Sequence, residues 1–312
     1  MIEFYKTFNN VTKKIAAPEK GCWINVVHPS TEETEYLVNE VKVLPEFVKA
    51  SLDEEESSHV DYDEDEGQTL VIVDYPNADD DPNNKTLLYT TLPLGVVIMK
   101  DYIVTISLQE NLNIEDMAEG RIKGMNTELK TRFLLLLLLR ISQRYLIYLR
   151  QIDRESSRTE RKLHQSMQNK ELIQMLGLEK SLVYFSTSLK SDEVTLNKIM
   201  RGKLIKMYED DQDLLEDVMI EIHQAVEMCN IYSNILSGTM DAFASVISNN
   251  LNIVMKVLTV ITIVMAIPNI IFSFYGMNVE GLPVAQWWFP TLLAVIACLI
   301  ATWIFKKKDM FH

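Results

Sequence analysis

Two apolar segments near the end of the chain, residues 251–275 and 287–305, constrain it more than anything else in the sequence. At ~1.5 Å of helical rise per residue, the second covers ~28 Å without a charge, about the hydrocarbon thickness of a bilayer. The first carries a single charge, Lys256, near one end. Residues 276–286 join them, beginning Gly276-Met277-Asn278-Val279-Glu280, with room for little except a tight connection. The pattern predicts a transmembrane helical hairpin. Trp287, Trp288 and Trp303 mark its interfaces, and Lys306, Lys307 and Lys308 follow at once. The positive-inside rule then places the C-terminus, and with it the N-terminal bulk, in the cytosol of a cell membrane. The start, Met1-Ile2-Glu3-Phe4-Tyr5-Lys6, has no signal-peptide pattern.

The rest of the chain predicts an α+β cytosolic domain over residues 1–130 and a long-helix and stalk region over 131–250. Residues 70–73, 94–99 and 102–106 are β-branched runs, with a hairpin turn at Lys100-Asp101 and a loop at residues 79–84. No proline occurs between Pro93 and Pro268, which permits long helices. Residues 133–139 are too short to span a bilayer and read as a buried helix core. Helices are expected over 140–174 and 180–206, and a third from Tyr208 into the first span.

Composition excludes several functions. With 44 acidic against 30 basic residues and a net charge of −14, the chain lacks the basic footprint of a nucleic-acid binder. Cys22, Cys229 and Cys298 form no Cys-x-x-Cys pair, and the five histidines show no metal-ligand spacing. No phosphate-binding loop of the Gly-x-x-x-x-Gly-Lys type is present, and no constellation suggests an enzyme.

The first span has a polar seam. Asn252, Met255, Thr259, Thr262, Ala266, Asn269 and Ser273 recur at the heptad spacing, and apart from Met255 they are small or polar. Backward in the same phase lie Ser248, Ser245, Asp241, Gly238 and Asn234, and further on Asp217, Asp213 and Asp210. Such a line fits a water-filled axis, though helix packing also uses small and polar residues. One helix cannot enclose a pore, so several copies should surround it as a cyclic homo-oligomer. Pro268 frees the carbonyl of Val264, which water near the seam could satisfy. Lys256 should snorkel toward the headgroups.

Neutral carboxamides and carbonyls suit hydrated Mg²⁺, which sheds water reluctantly and must be held weakly if it is to pass. Gly276 allows close backbone approach or positive φ at the mouth, and Glu280 adds charge there. Tyr275-Gly276-Met277-Asn278, with residues 252–259, resembles the CorA family of magnesium channels. That resemblance implies a homopentamer, a filter of Tyr275, Gly276, Met277 and Asn278, and a hydrophobic constriction at Met255 and Leu258. It also implies a pore-facing carboxylate ring at Asp241 and a gating carboxylate at Asp217. Two features depart from the family. Residues 281–284 lack the outer-loop glutamate of many members, and residues 49–51 lack the acidic partner expected for Asp217.

The expected function is passive Mg²⁺ influx, to which the potential contributes ~4.6 kcal/mol per 100 mV for a divalent ion, without nucleotide or organic cofactor. The implied partners are other copies of the chain, the bilayer and hydrated divalent cations. Asp210, Asp213 and Asp217 are candidate regulatory Mg²⁺ ligands; the acidic runs at 53–56, 61–66 and 79–81 read as solvated faces or weak sensors. Other readings are transport of Co²⁺, Ni²⁺ or Zn²⁺ by the same fold, or a membrane-anchored cation sensor.

Overall fold

The structure, a computed structural model, describes residues 1–9, 11–79, 88–166, 169–202, 205–206, 208–277, 284 and 286–308. The chain divides into two compact units, Met1–Ser237 and Gly238–His312.

The first unit is built on a sheet of seven strands: β1 (Ile2–Phe8), β2 (Val11–Ile15), β3 (Trp23–Val27), β4 (His59–Asp63), β5 (Gln68–Asp79), β6 (Leu88–Ile98) and β7 (Ile103–Ser107). Their order is β2-β1-β3-β7-β6-β5-β4. Only β3 and β7 pair in parallel; every other neighbour is antiparallel. These two central strands are buried almost throughout, as strands covered on both faces must be. The expected turn at Lys100-Asp101 closes the β6–β7 hairpin, where the Met99 N–H donates to the Tyr102 carbonyl at 3.0 Å.

Helix α1 (Thr31–Tyr36), the turn after it and α2 (Pro45–Ser51) cover one face. They close over Ile24, Val26, Leu70, Ile72, Val104 and Ile106. Ser30 and Glu33 start α1 with reciprocal side-chain caps on each other's N–H. Against the other face lie the long helices α4 (Lys130–Ser166) and α5 (Asn169–Gly202), which follow the short α3 (Leu112–Ala118). Phe133, Leu134, Leu135 and Leu137 of α4 are fully buried, as expected of residues 133–139. Trp23 links sheet to helix: its ring stacks on Tyr5 at 4.9 Å and tilts against Phe133 at 5.1 Å. Its Nε1–H donates to Thr105 Oγ1 at 2.8 Å.

The helix boundaries correct the sequence reading. Helices expected over 140–174 and 180–206 are instead Lys130–Ser166 and Asn169–Gly202. Gly177, in the expected gap, lies inside α5. A helical glycine costs only about 1 kcal/mol, less than burial of Met175, Leu178, Leu182 and Phe185 returns.

Helix α2 approaches β6 closely at Gly95. A Cβ there would stand 1.9 Å from Ser51 Oγ and 2.5 Å from Ser51 Cβ. Gly95→Ala is therefore expected to lower stability by ~1–3 kcal/mol through overpacking. Adding Ser51→Gly should restore much of that loss in a denaturant-unfolding cycle. Additive losses in the double variant would show that the two positions do not compete for space.

Strands β5 and β6 outrun their neighbours. β4 pairs with β5 only to Ile72, and β7 with β6 only from Leu94, so beyond these points the two strands pair only with each other. Helices α4 and α5 cover this extension. Tyr89 packs on Tyr148 at 5.1 Å and on Phe185 at 6.0 Å, and its hydroxyl reaches Gln151 at 3.0 Å.

One tight turn, Glu209–Asp211, precedes α6 (Gln212–Tyr275). In the first unit α6 buries Leu215, Val218, Ile222, Ala225, Cys229 and Leu236, a heptad stripe. It meets α5 through Cys229 Sγ, which donates to the Leu182 carbonyl at 3.3 Å, and Ser237 Oγ, which donates to Glu179 at 2.9 Å. The second unit comprises the rest of α6 and α7 (Trp288–Lys307).

Candidate functional site

Among the described residues, helices α6 and α7 are the two that are long and apolar enough to cross a membrane. They touch along one stripe. Val260 and Ala294 are buried, and Ile253, Val257, Val264, Ile271, Ala297 and Cys298 are half-buried. Tyr275 meets Phe289 at 6.1 Å near the connection.

The seam lies outside this stripe. Asn252, Met255, Leu258, Thr259, Thr262, Asn269 and Ser273 are all exposed in the single chain, and Ala266 is half-buried. Ahead of them, Asp241, Ser245 and Ser248 are exposed too. Helix α7 therefore covers the apolar stripe and leaves the polar one open.

The hydroxyls of the seam are oriented by their own helix. Thr259 Oγ1 donates to the Met255 carbonyl at 2.7 Å, and Thr262 Oγ1 to the Leu258 carbonyl at 2.8 Å. Ser245 Oγ donates to the Asp241 carbonyl at 3.1 Å. A hydroxyl has one proton and two lone pairs. With the proton spent on the backbone, each of these groups offers only acceptors to whatever occupies the seam. Together with the Asn252 and Asn269 carboxamides, that surface suits a hydrated cation.

Two details differ from the sequence reading. The Val264 carbonyl freed by Pro268 was expected to find water, yet it accepts the Cys298 thiol of α7 at 3.6 Å, a weak bond that fastens the hairpin. Gly276 is explained by close approach rather than positive φ. Its N–H donates to the Phe272 carbonyl at 2.8 Å, and a Cβ would stand 3.2 Å from that oxygen. Of the expected filter, Tyr275 is half-buried and Gly276 and Met277 are exposed; Asn278 and the mouth residue Glu280 lie outside the described residues. Lys306, Lys307 and Lys308 are exposed at the end of α7, and Lys307 Nζ lies 5.5 Å from the Trp303 ring centroid.

At the other end of α6, Asp210, Asp213 and Asp217 are exposed. Their neighbour Asp211 is buried and pairs with Arg132 at 3.3 Å, a structural role that its acidic surroundings hide in the sequence. Among the described residues no three His, Cys, Asp or Glu side chains converge on a metal position. Two of the acidic runs make local turns, Asp53 accepting from the Glu55 N–H at 3.1 Å and Asp63 from the Glu66 N–H at 2.7 Å, while residues 80–84 of the third run and its expected loop lie outside the described residues.

Comparison with known proteins agrees with this architecture. Residues 18–307 match the family model described as CorA-like Mg²⁺ transporter protein. The cobalt/magnesium transport protein CorA of Methanocaldococcus jannaschii is 29% identical over 299 residues, 92% of this chain and 90% of that protein. The magnesium transport protein CorA of Helicobacter pylori strain 26695 is 20% identical over 97% of this chain and 95% of its own length. Among solved structures, the complete CorA magnesium transporter of M. jannaschii superposes with a TM-score of 0.85 at 25% identity, covering 99% of this chain and 98% of that one. With nearly its whole length matched by that family model, this membrane protein belongs to the CorA-like Mg²⁺ transporter family.

Proposed function

We propose that the chain forms a homopentameric channel for passive, potential-driven Mg²⁺ influx. The observation that carries this reading is the exposed seam of α6, whose hydroxyls present acceptors and whose apolar opposite stripe is occupied by α7. Residues 244–252 are exposed on every side of the helix, Leu251 by 61%, which favours cover by further copies. In this assembly Asn278 and Gly276 form the mouth, Glu280 concentrates cations there, and Met255 and Leu258 narrow the inner end. The first unit and the three terminal lysines lie in the cytosol.

Asp210, Asp213 and Asp217 supply too few converging ligands within one chain, so regulatory Mg²⁺ would bridge copies and favour the closed state. Cobalt is a second cargo, a reading favoured by the relative named for both metals. Zinc is a weaker fit, because the described seam offers neither His nor Cys.

The test is cation uptake by proteoliposomes loaded with a Mg²⁺-sensitive dye, at inside-negative potential. Wild type should admit Mg²⁺, and Asn278→Ala should abolish most of the uptake while remaining folded. Absence of uptake in correctly oriented wild type would refute the channel reading.

A further inference from the structure

The cover that α5 places on the extended part of β5 contains a chemical oddity. Past Ile72, β5 has no neighbour on the β4 side, and the exposed backbone of Asp74 is met by side chains instead. Its N–H donates to Asp192 Oδ1 of α5 at 3.0 Å, and its carbonyl accepts from Tyr145 OH of α4 at 3.2 Å. Two acidic residues thereby meet inside the protein, the Asp192 carboxyl against the Asp74 backbone, with Asp192 exposed by 4% and Asp74 by 8%. Burial raises both acids, against a lowering influence of the Ser188 hydroxyl on Asp74 and of the Ser58 hydroxyl on Asp192. The other titratable groups nearby are Tyr145, which feels the charge of both acids and of Cys229, and Lys190, which acts on Cys229. Among the described residues, no lysine, arginine or histidine forms an ion pair with either acid.

Two buried carboxylates without a cation cannot both stay ionised, because desolvation and mutual repulsion act together. We propose that Asp74 and Asp192 form a proton-dependent latch, in which a retained proton keeps α5 seated on the open edge of β5 and its loss at alkaline pH loosens that contact. Burial, then the charge of Asp74, holds the Asp192 carboxyl well above the usual carboxylate range; burial also raises Asp74. Tyr145 is raised by burial and Cys229 is pushed up to about 12, so neither loses its proton first. The sign follows from linkage. The folded state keeps a proton that an unfolded chain releases near pH ~4, so the stabilisation is complete below that value and is lost as pH rises through the folded value. Because α5 also holds the first part of α6 through Leu182 and Glu179, the loosening reaches that helix.

The test uses the full chain in detergent. In wild type, the infrared carbonyl band of a protonated carboxyl should disappear, and the thermal midpoint should fall, over an interval from neutral to alkaline pH. Asp192→Asn keeps an oxygen for the Asp74 N–H and imitates the neutral acid. Its midpoint should vary less over that interval and exceed wild type at the alkaline end. Asp74→Asn, which removes the other acid, should flatten the profile in the same way. The latch is overturned by a wild type with no protonated carboxyl near neutral pH, or by variants whose midpoints track wild type in parallel. It is equally overturned if Asp192→Asn fails to fold, since that would mean the site needs the charge.

Discussion

Trp23→Ala is expected to cost the first unit about 3–5 kcal/mol, the largest loss from one truncation in this sheet. Trp23 is fully buried between Tyr5 and Phe133, so its removal opens a cavity where sheet meets α4. The indole also donates to Thr105 Oγ1, which in turn donates to Asn25 Oδ1 at 3.0 Å. Truncation leaves that chain without its first donor, which adds to the cavity term. Trp23→Phe, which keeps a ring and loses the N–H, should cost markedly less. Denaturant midpoints with unchanged slopes would read both values. A loss below ~1 kcal/mol for the alanine variant would mean that α4 and the sheet close over the gap.

The second large effect concerns conduction. Thr259→Val combined with Thr262→Val keeps shape and removes two hydroxyls. The carbonyls of Met255 and Leu258 lose only an extra donor, so the helix should persist. What disappears is a pair of acceptors in the seam. The loss is repeated in every copy around the pore; at ~0.5–1.5 kcal/mol for each of the two rings of hydroxyls, Mg²⁺ uptake should fall on the order of tenfold to a hundredfold. Far-ultraviolet circular dichroism should be unchanged. Uptake equal to wild type would place the conducting path on another face of α6.

The sequence announces its membrane part most clearly, because hydrocarbon tolerates few alternatives. Apart from half-buried Ala266, the seam read from Asn252 to Ser273 is exposed in the structure, and the apolar stripe opposite it meets α7. The first unit is harder to read. β1 and β2 mix Glu3, Lys6, Lys13 and Lys14 with apolar residues, and the Lys14–Glu3 ion pair between the strands at 2.5 Å stands in place of the long apolar run that signals a central strand. β4 hides among acids such as Asp61 and Asp63 for the same reason. Three contacts had no local signature at all: Cys298 with Val264, Asp211 with Arg132, and Asp192 with Asp74. Each joins residues distant in the chain, and each turns a side chain that looks ordinary in its own helix into a partner for another element.

The hydroxyls along α6 have a further consequence. A proton wire requires groups that accept on one side, donate on the other and can turn over together. Thr259 and Thr262 have committed their protons to the carbonyls one turn back. To relay a charge they would have to break those bonds first. Any proton crossing beside them would have to travel through water's own hydrogen bonds, because these threonines accept without relaying. In the proposed channel these threonines would orient the water of a passing cation and take no part in handing protons along.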